Sequence, residues 1–97
     1  MVASGVAGAQ RVTISAKIVD KETKEPVSFA SIGLRDKSIG TVSNYQGEFD
    51  FHLPSNSLNE LLVINSLGYK SYEATVGSLL GRSPLIIEIE KSTIVLE

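Results

Sequence analysis

The sequence predicts an all-β domain, a Greek-key β-sandwich of about seven short strands. Three observations predict it. Apolar residues recur at every second position in segment after segment, the period of a strand with one buried face. Turn-forming residues interrupt that pattern at roughly regular spacing. The length, 97 residues, fits one domain whose folding buries roughly 60–70% of the unfolded surface, enough for one thin core between two layers.

Val12, Ile14, Ala16 and Ile18 alternate with Thr13, Ser15 and Lys17, so the first strand is half-buried. Asp20 to Pro26 breaks the pattern. Asp20 and Thr23 can accept hydrogen bonds from nearby amides there, and Pro26 ends the turn. A second strand is expected over Val27 to Arg35, with Ala30, Ile32 and Leu34 on one face. Gly33 inside it marks a bulge or a close backbone approach. Asp36-Lys37-Ser38 turns the chain into a short strand at Gly40 to Ser43. Asn44-Tyr45-Gln46-Gly47 then has the Asn and Gly placement of a tight hairpin turn. In Glu48 to Leu53, Phe49, Phe51 and Leu53 face the core while Glu48, Asp50 and His52 face water.

Pro54 to Asn59 is a polar loop. Leu61 to Ser66 also has helical spacing through Leu58, Leu61, Leu62 and Asn65. Its shortness, the β-branched Val63 and Ile64, and the following Gly68 favour a strand. Leu67-Gly68-Tyr69 turns the chain, and Tyr72, Ala74 and Val76 form the next buried face. Gly77 to Pro84 connects, with one helical turn around Ser78 to Leu80. Leu85, Ile87 and Ile89 alternate with Ile86, Glu88 and Glu90 in the last clear strand. The expected organisation is therefore a leader at residues 1–10, a sandwich at residues 11–91, and an edge strand or the start of a linker at residues 92–97. In the leader, Ala7-Gly8-Ala9 before Gln10 matches the end of a secretory signal. Its basic start and apolar middle are absent, so it reads as a signal-peptide remnant or a flexible leader.

Composition excludes several functions. The formal net charge is −2 and no two Lys or Arg are adjacent, so the cation cluster that replaces counterions on nucleic acid is missing. The same scatter opposes an electrostatic membrane anchor. No apolar run approaches the ~18 residues that span a bilayer as a helix. With no Cys, disulfides, thiolate nucleophiles and Cys-ligated zinc are excluded together. The absence of Trp leaves little for stacking sugars.

An ordered set of motifs carries a family resemblance. It comprises Val19-Asp20, Thr23 with Pro26, Ala30 with Ile32, Gly40-Thr41-Val42-Ser43, Asn44 with Gly47 and Phe49, and Gly68-Tyr69-Lys70. In this order, over about residues 12–90, it resembles the carboxypeptidase-regulatory-like domains. The resemblance implies a transthyretin-like (prealbumin-like) sandwich without catalytic residues. It also implies a position at the N-terminus of outer-membrane proteins, among them TonB-dependent receptors that import glycans or metal chelates.

The candidates for chemistry are few. His52 is the only His, and Asp50 shares its strand face. A nucleophile would need a base in hydrogen-bond reach and an oxyanion site, and no G-x-S-x-G elbow is present. Glu48, Asp50 and His52 lie roughly 7 Å apart in sequence along one strand, too spread to converge on zinc unaided. Asp20, Glu22 and Glu25 either hold calcium or form a solvated turn that caps its own amides. Tyr45 and Tyr69 either stack on a ligand or serve as a hairpin tip and a cover over the sandwich end. No catalytic, cofactor-binding or metal residue is assigned.

These readings lead to a non-catalytic accessory or interaction module of a larger exported protein, periplasmic or outer-membrane-associated in a Gram-negative bacterium. Its partner would be the rest of the parent polypeptide or a neighbouring envelope protein, engaged by edge-strand pairing. The alternative is a carbohydrate- or polymer-binding sandwich. No nucleic-acid partner, membrane insertion or cofactor is expected.

Gly47 and Gly68 are expected to adopt backbone conformations closed to residues with a Cβ. Gly68→Val should therefore lower stability by about 1–3 kcal/mol. Thermal unfolding checks this, and a melting temperature equal to wild type contradicts it.

Overall fold

In a computed structural model, which describes residues 11–82 and 84–92, the alternating segments become seven strands in two sheets. They are β1 (Arg11–Asp20), β2 (Ser31–Leu34), β3 (Gly40–Val42), β4 (Glu48–Pro54), β5 (Leu61–Asn65), β6 (Tyr72–Thr75) and β7 (Ile86–Ile89). One sheet has the order β4-β1-β7 and the other β3-β2-β5-β6. The all-β sandwich expected from the sequence is the observed fold. Strand β1 pairs antiparallel with β4 on one side and parallel with β7 on the other. Every other pairing is antiparallel.

Strict alternation fills the space between the sheets. Ile14, Ala16 and Ile18 of β1, Phe49, Phe51 and Leu53 of β4, and Ile87 and Ile89 of β7 point inward from one sheet. Ile32, Leu34, Leu62 and Ile64 meet them from the other. A one-residue slip in any strand would move its apolar set into water, so burial fixes the register. The ambiguous stretch at Leu61 is strand β5, with Leu62 and Ile64 fully buried. A short helix, α1 (Val76–Leu79), closes one end with Val76 and Leu79. It begins slightly earlier than the helical turn expected at Ser78 to Leu80.

Two local expectations change. The strand expected from Val27 begins only at Ser31. Phe29 adopts φ 57°, a left-handed conformation that interrupts an extended run. Ser43 supports this interruption. Its buried hydroxyl accepts the Ala30 N–H at 2.8 Å and donates to the Val27 carbonyl at 3.0 Å. The second change concerns Asn44 to Gly47. The turn is tight, with the Gly47 N–H on the Asn44 carbonyl at 3.0 Å, but it does not join a hairpin within one sheet. Strand β3 belongs with β2 and β4 belongs with β1, so this turn is a corner between the layers. The Asn44 side-chain oxygen accepts the amides of Gln46 and Glu48, each at 2.9 Å, and holds the corner closed.

The glycines act where backbones crowd or reverse. Gly33 faces Gly40 across β2 and β3, and a Cβ on Gly40 would lie 2.8 Å from the Ile32 carbonyl. This is the close approach expected at Gly33. Gly47 and Gly68 take φ of +81° and +87° as expected. A side chain at Gly47 would also meet the Ile18 carbonyl at 2.6 Å, whereas the space beside Gly68 is open.

Ser43→Ala should cost about 1–3 kcal/mol, because it leaves a buried N–H and a buried C=O without their partner. Denaturant unfolding measures it. A loss under a few tenths would show that the hydroxyl does not hold the Val27–Ala30 segment.

Candidate functional site

Strand phase decides where the candidate residues go. Asp20 ends β1 in phase with Ile14, Ala16 and Ile18, so its carboxylate is directed toward the gap between the sheets rather than outward. It is 2% exposed. One oxygen accepts the N–H groups of Glu22 at 2.8 Å and Thr23 at 3.0 Å. The other accepts the Tyr69 hydroxyl at 2.8 Å, with Lys91 Nζ at 3.7 Å. The Thr23 amide, the Tyr69 hydroxyl, the Glu22 amide and the Lys91 charge together pull its pKa from an ordinary 3.8 down to about 2, against the opposing effect of burial. Burial first, then the hydrogen bond to Asp20 and its charge, raise the Tyr69 pKa.

The three carboxylates proposed for calcium therefore do not converge. Both Asp20 oxygens face hydrogen-bond donors, while Glu22 and Glu25 are exposed. The turn instead caps its own amides, the second reading offered by the sequence, and Thr23 Oγ1 adds a bond from the Glu25 N–H at 3.2 Å. Tyr69 is likewise the cover over the sandwich end. Its ring packs against the core cluster and its hydroxyl is engaged.

Around this junction the two sheets are joined at one edge. The Lys70 N–H bonds the Glu90 carbonyl at 2.8 Å, and the Ser92 N–H bonds the Gly68 carbonyl at 2.8 Å. An exposed ion-pair chain crosses the seam. Glu90 meets Lys21 at 2.9 Å and Lys70 at 3.3 Å, and Lys24 meets Glu88 at 2.6 Å. Lys21, then Lys70, lowers the Glu90 pKa, and Glu90 raises that of Lys21. Exposed pairs of this kind are screened by solvent and contribute little to stability.

His52 lies elsewhere, on the solvent face of β4. Its Nδ1 is 3.0 Å from Thr13 Oγ1, directly across the ladder. Asp50 accepts the Ser15 hydroxyl at 2.7 Å. These are cross-strand pairs on a solvated sheet face, with His52 and Asp50 each turned to a different hydroxyl. Glu48, Asp50 and His52 follow one another along the strand without converging. Among the described residues, no three His, Asp or Glu side chains gather into a metal-binding group. No helix among them is long and apolar enough to cross a membrane.

Tyr45 is 77% exposed at the corner turn. Beside it, Ser28 Oγ donates to the Tyr45 carbonyl at 2.6 Å, and the Phe29 N–H bonds the Ser43 carbonyl at 3.1 Å. Phe29 is itself 67% exposed, and Val42 on β3 is 57% exposed. This apolar corner was missed in the sequence, where Phe29 reads as one more residue of a strand.

Comparison with known proteins agrees with the geometry. The family described as CarboxypepD_reg-like domain matches residues 14–97. No curated protein matches the chain.

A depressed carboxylate pKa stabilises the fold above the ordinary value and ceases to do so as pH falls toward the folded value. Asp20→Asn should lower the melting temperature at pH 7. The gap to wild type should then narrow as pH falls from about 4 to about 2, the window between the ordinary and folded pKa values. Melting curves that stay parallel across that range would show that the charge on Asp20 does not matter.

Proposed function

Because the chain belongs to the CarboxypepD_reg-like domain family, a family of accessory β-sandwich modules, we propose that it is a non-catalytic module of a larger exported envelope protein. The parent is periplasmic or associated with the outer membrane of a Gram-negative bacterium, with a TonB-dependent receptor as the leading candidate. Its role is to dock against the rest of that protein or a neighbouring envelope component.

The observation that carries this reading is where the polar side chains point. Asp20, Thr23, Ser43, Asn44 and Tyr69 all bond backbone or one another to shape turns and corners. His52 and Asp50 pair with hydroxyls on an open sheet face, without the enclosed, preorganised donors that catalysis needs. Among the described residues, the strand edges and the exposed apolar side chains Phe29, Ile39 and Val42 also offer themselves for outside contact. A carbohydrate-binding reading rests on Tyr45 alone, since Tyr69 is engaged within the fold.

Two measurements test the proposal. Fractionation of cells expressing the full-length parent should place it in the envelope. The domain should turn over no ester, peptide or glycoside. A cytoplasmic location would refute export, and turnover abolished by His52→Ala would refute the non-catalytic assignment.

A further inference from the structure

Each sheet has two outer strands, and their outward backbone groups follow from the register. On β4 the outward-facing residues are Glu48, Asp50, His52 and Pro54, because Ile18 pairs with Gly47 through the N–H to carbonyl bond. Charged side chains and a proline there discourage further pairing. On β6 the outward residues include Glu73, which pairs with Arg35. On β7 they are Ile86 and Glu88, and the next carbonyl, of Glu90, is already bonded to Lys70.

Strand β3 differs. The Ser43 N–H bonds the Ala30 carbonyl, so the alternation of an antiparallel ladder turns the N–H and C=O groups of Gly40 and Val42 away from β2. From Ile39 to Gln46 no residue is charged and none is proline. Ile39, Val42 and the following Tyr45 are exposed along this segment, and so is Phe29, whose N–H reaches the Ser43 carbonyl from the β2 side. Phe29 is held there at φ 57°, a conformation that disfavours a residue with a Cβ. Its neighbours fix it by three bonds: its own N–H to Ser43, the Ala30 N–H to Ser43 Oγ, and Ser28 Oγ to Tyr45. An exposed aromatic kept in a strained backbone position contributes little to the core, and such strain concentrates at binding surfaces.

We infer that the free edge of β3, with the exposed Tyr45 and Phe29 close by at its Ser43 end, binds an extended, uncharged peptide segment by strand addition. This rests on the reading of the chain as an interaction module. The chemistry selects the occupant. A sugar needs side-chain donors and acceptors beside the aromatic rings, and here the Ser28 and Ser43 hydroxyls donate to backbone carbonyls while the Asn44 Oδ1 accepts two amides of its own turn. An added strand needs only backbone groups and room for alternate apolar side chains, and β3 supplies both. A second copy of this chain is disfavoured by size. A three-residue strand and a few side chains fall short of the roughly 800 Å² per partner of a stable protein interface, but suit a short segment.

The test is titration of the isotope-labelled chain with a series of capped eight-residue peptides. In each, Val, Ile or Tyr alternates with Thr or Ser. Amide shifts should centre on Gly40 and Val42 and extend to Phe29 and Tyr45. Val42→Pro removes an outward N–H without touching the β2 ladder, and should abolish the shifts. Phe29→Gly relieves the backbone strain, so it should hold or raise the melting temperature while weakening binding by about five-fold or more. If no peptide of the series shifts Gly40 or Val42, or if Phe29→Gly binds as wild type, the assignment is overturned. Shifts confined to Tyr72–Thr75 or Ile86–Ile89 would refute the β3 edge while leaving the interaction module standing. Shifts at Tyr45 with oligosaccharides alone would replace the peptide with a glycan.

Discussion

A single carboxylate ties together parts of the chain that hydrophobic burial alone would leave loosely arranged. Asp20 ends the central strand of one sheet, and its two oxygens serve its own turn and a tyrosine from the other sheet. Apolar packing is non-directional. It presses two sheets together but does not dictate how their ends meet. A charge-assisted bond at 2.8 Å from Tyr69 does. It brings the β5–β6 turn over the end of the core, where the Tyr69 ring finds apolar contact. The backbone bonds of Lys70 and Ser92 then close the same seam. A buried carboxylate without such partners would be costly. Here each oxygen is bonded, so the same burial gives direction to the closure.

The opposite edge is closed by a different device. At the β3–β4 corner the chain leaves one sheet and enters the other, and ladder bonds cannot follow it around. Side chains substitute for them. Ser43 supplies the acceptor and donor that Ala30 and Val27 would otherwise find in a strand, and Asn44 collects two amides of the turn. Buried backbone groups must find partners somewhere, and short polar side chains are the ones able to reach them at a corner. This explains why a thin core, 18 buried apolar residues among those described, is accompanied by so many Ser, Thr, Asn and Asp in fixed places.

The strands were legible because their signal is a period, and a period survives without knowledge of neighbours. Alternation in most of the segments pointed to the sandwich, and even the ambiguous Leu61 stretch resolved by its β-branched centre. Turn residues Asn44, Gly47 and Gly68 were also legible, since each answers a local conformational demand. What stayed hidden was pairing. Nothing local distinguishes a hairpin turn from a corner, so Asn44 to Gly47 was assigned to the wrong kind of connection. Phe29 looked like a strand residue because its left-handed φ is imposed by Ser43, 14 positions away. The role of Asp20 was within reach. It continues the phase of Ile14, Ala16 and Ile18, and an acidic residue in phase with a core demands a partner; only the identity of that partner, 49 positions on, required the fold.

Phe29 also shows how stability and recognition separate in so small a domain. Most residues here are fixed by demands the fold makes on itself, and their chemistry is exhausted in meeting them. Glycine would suit the backbone at position 29 better than any residue with a Cβ. A phenylalanine there leaves two-thirds of its surface in water, so burial recovers little of the strain. The surrounding bonds could hold a glycine in the same path. Conflict between a residue and its local structure, set near a strand edge without charge or proline, is the pattern expected where a surface is shaped for something other than its own stability.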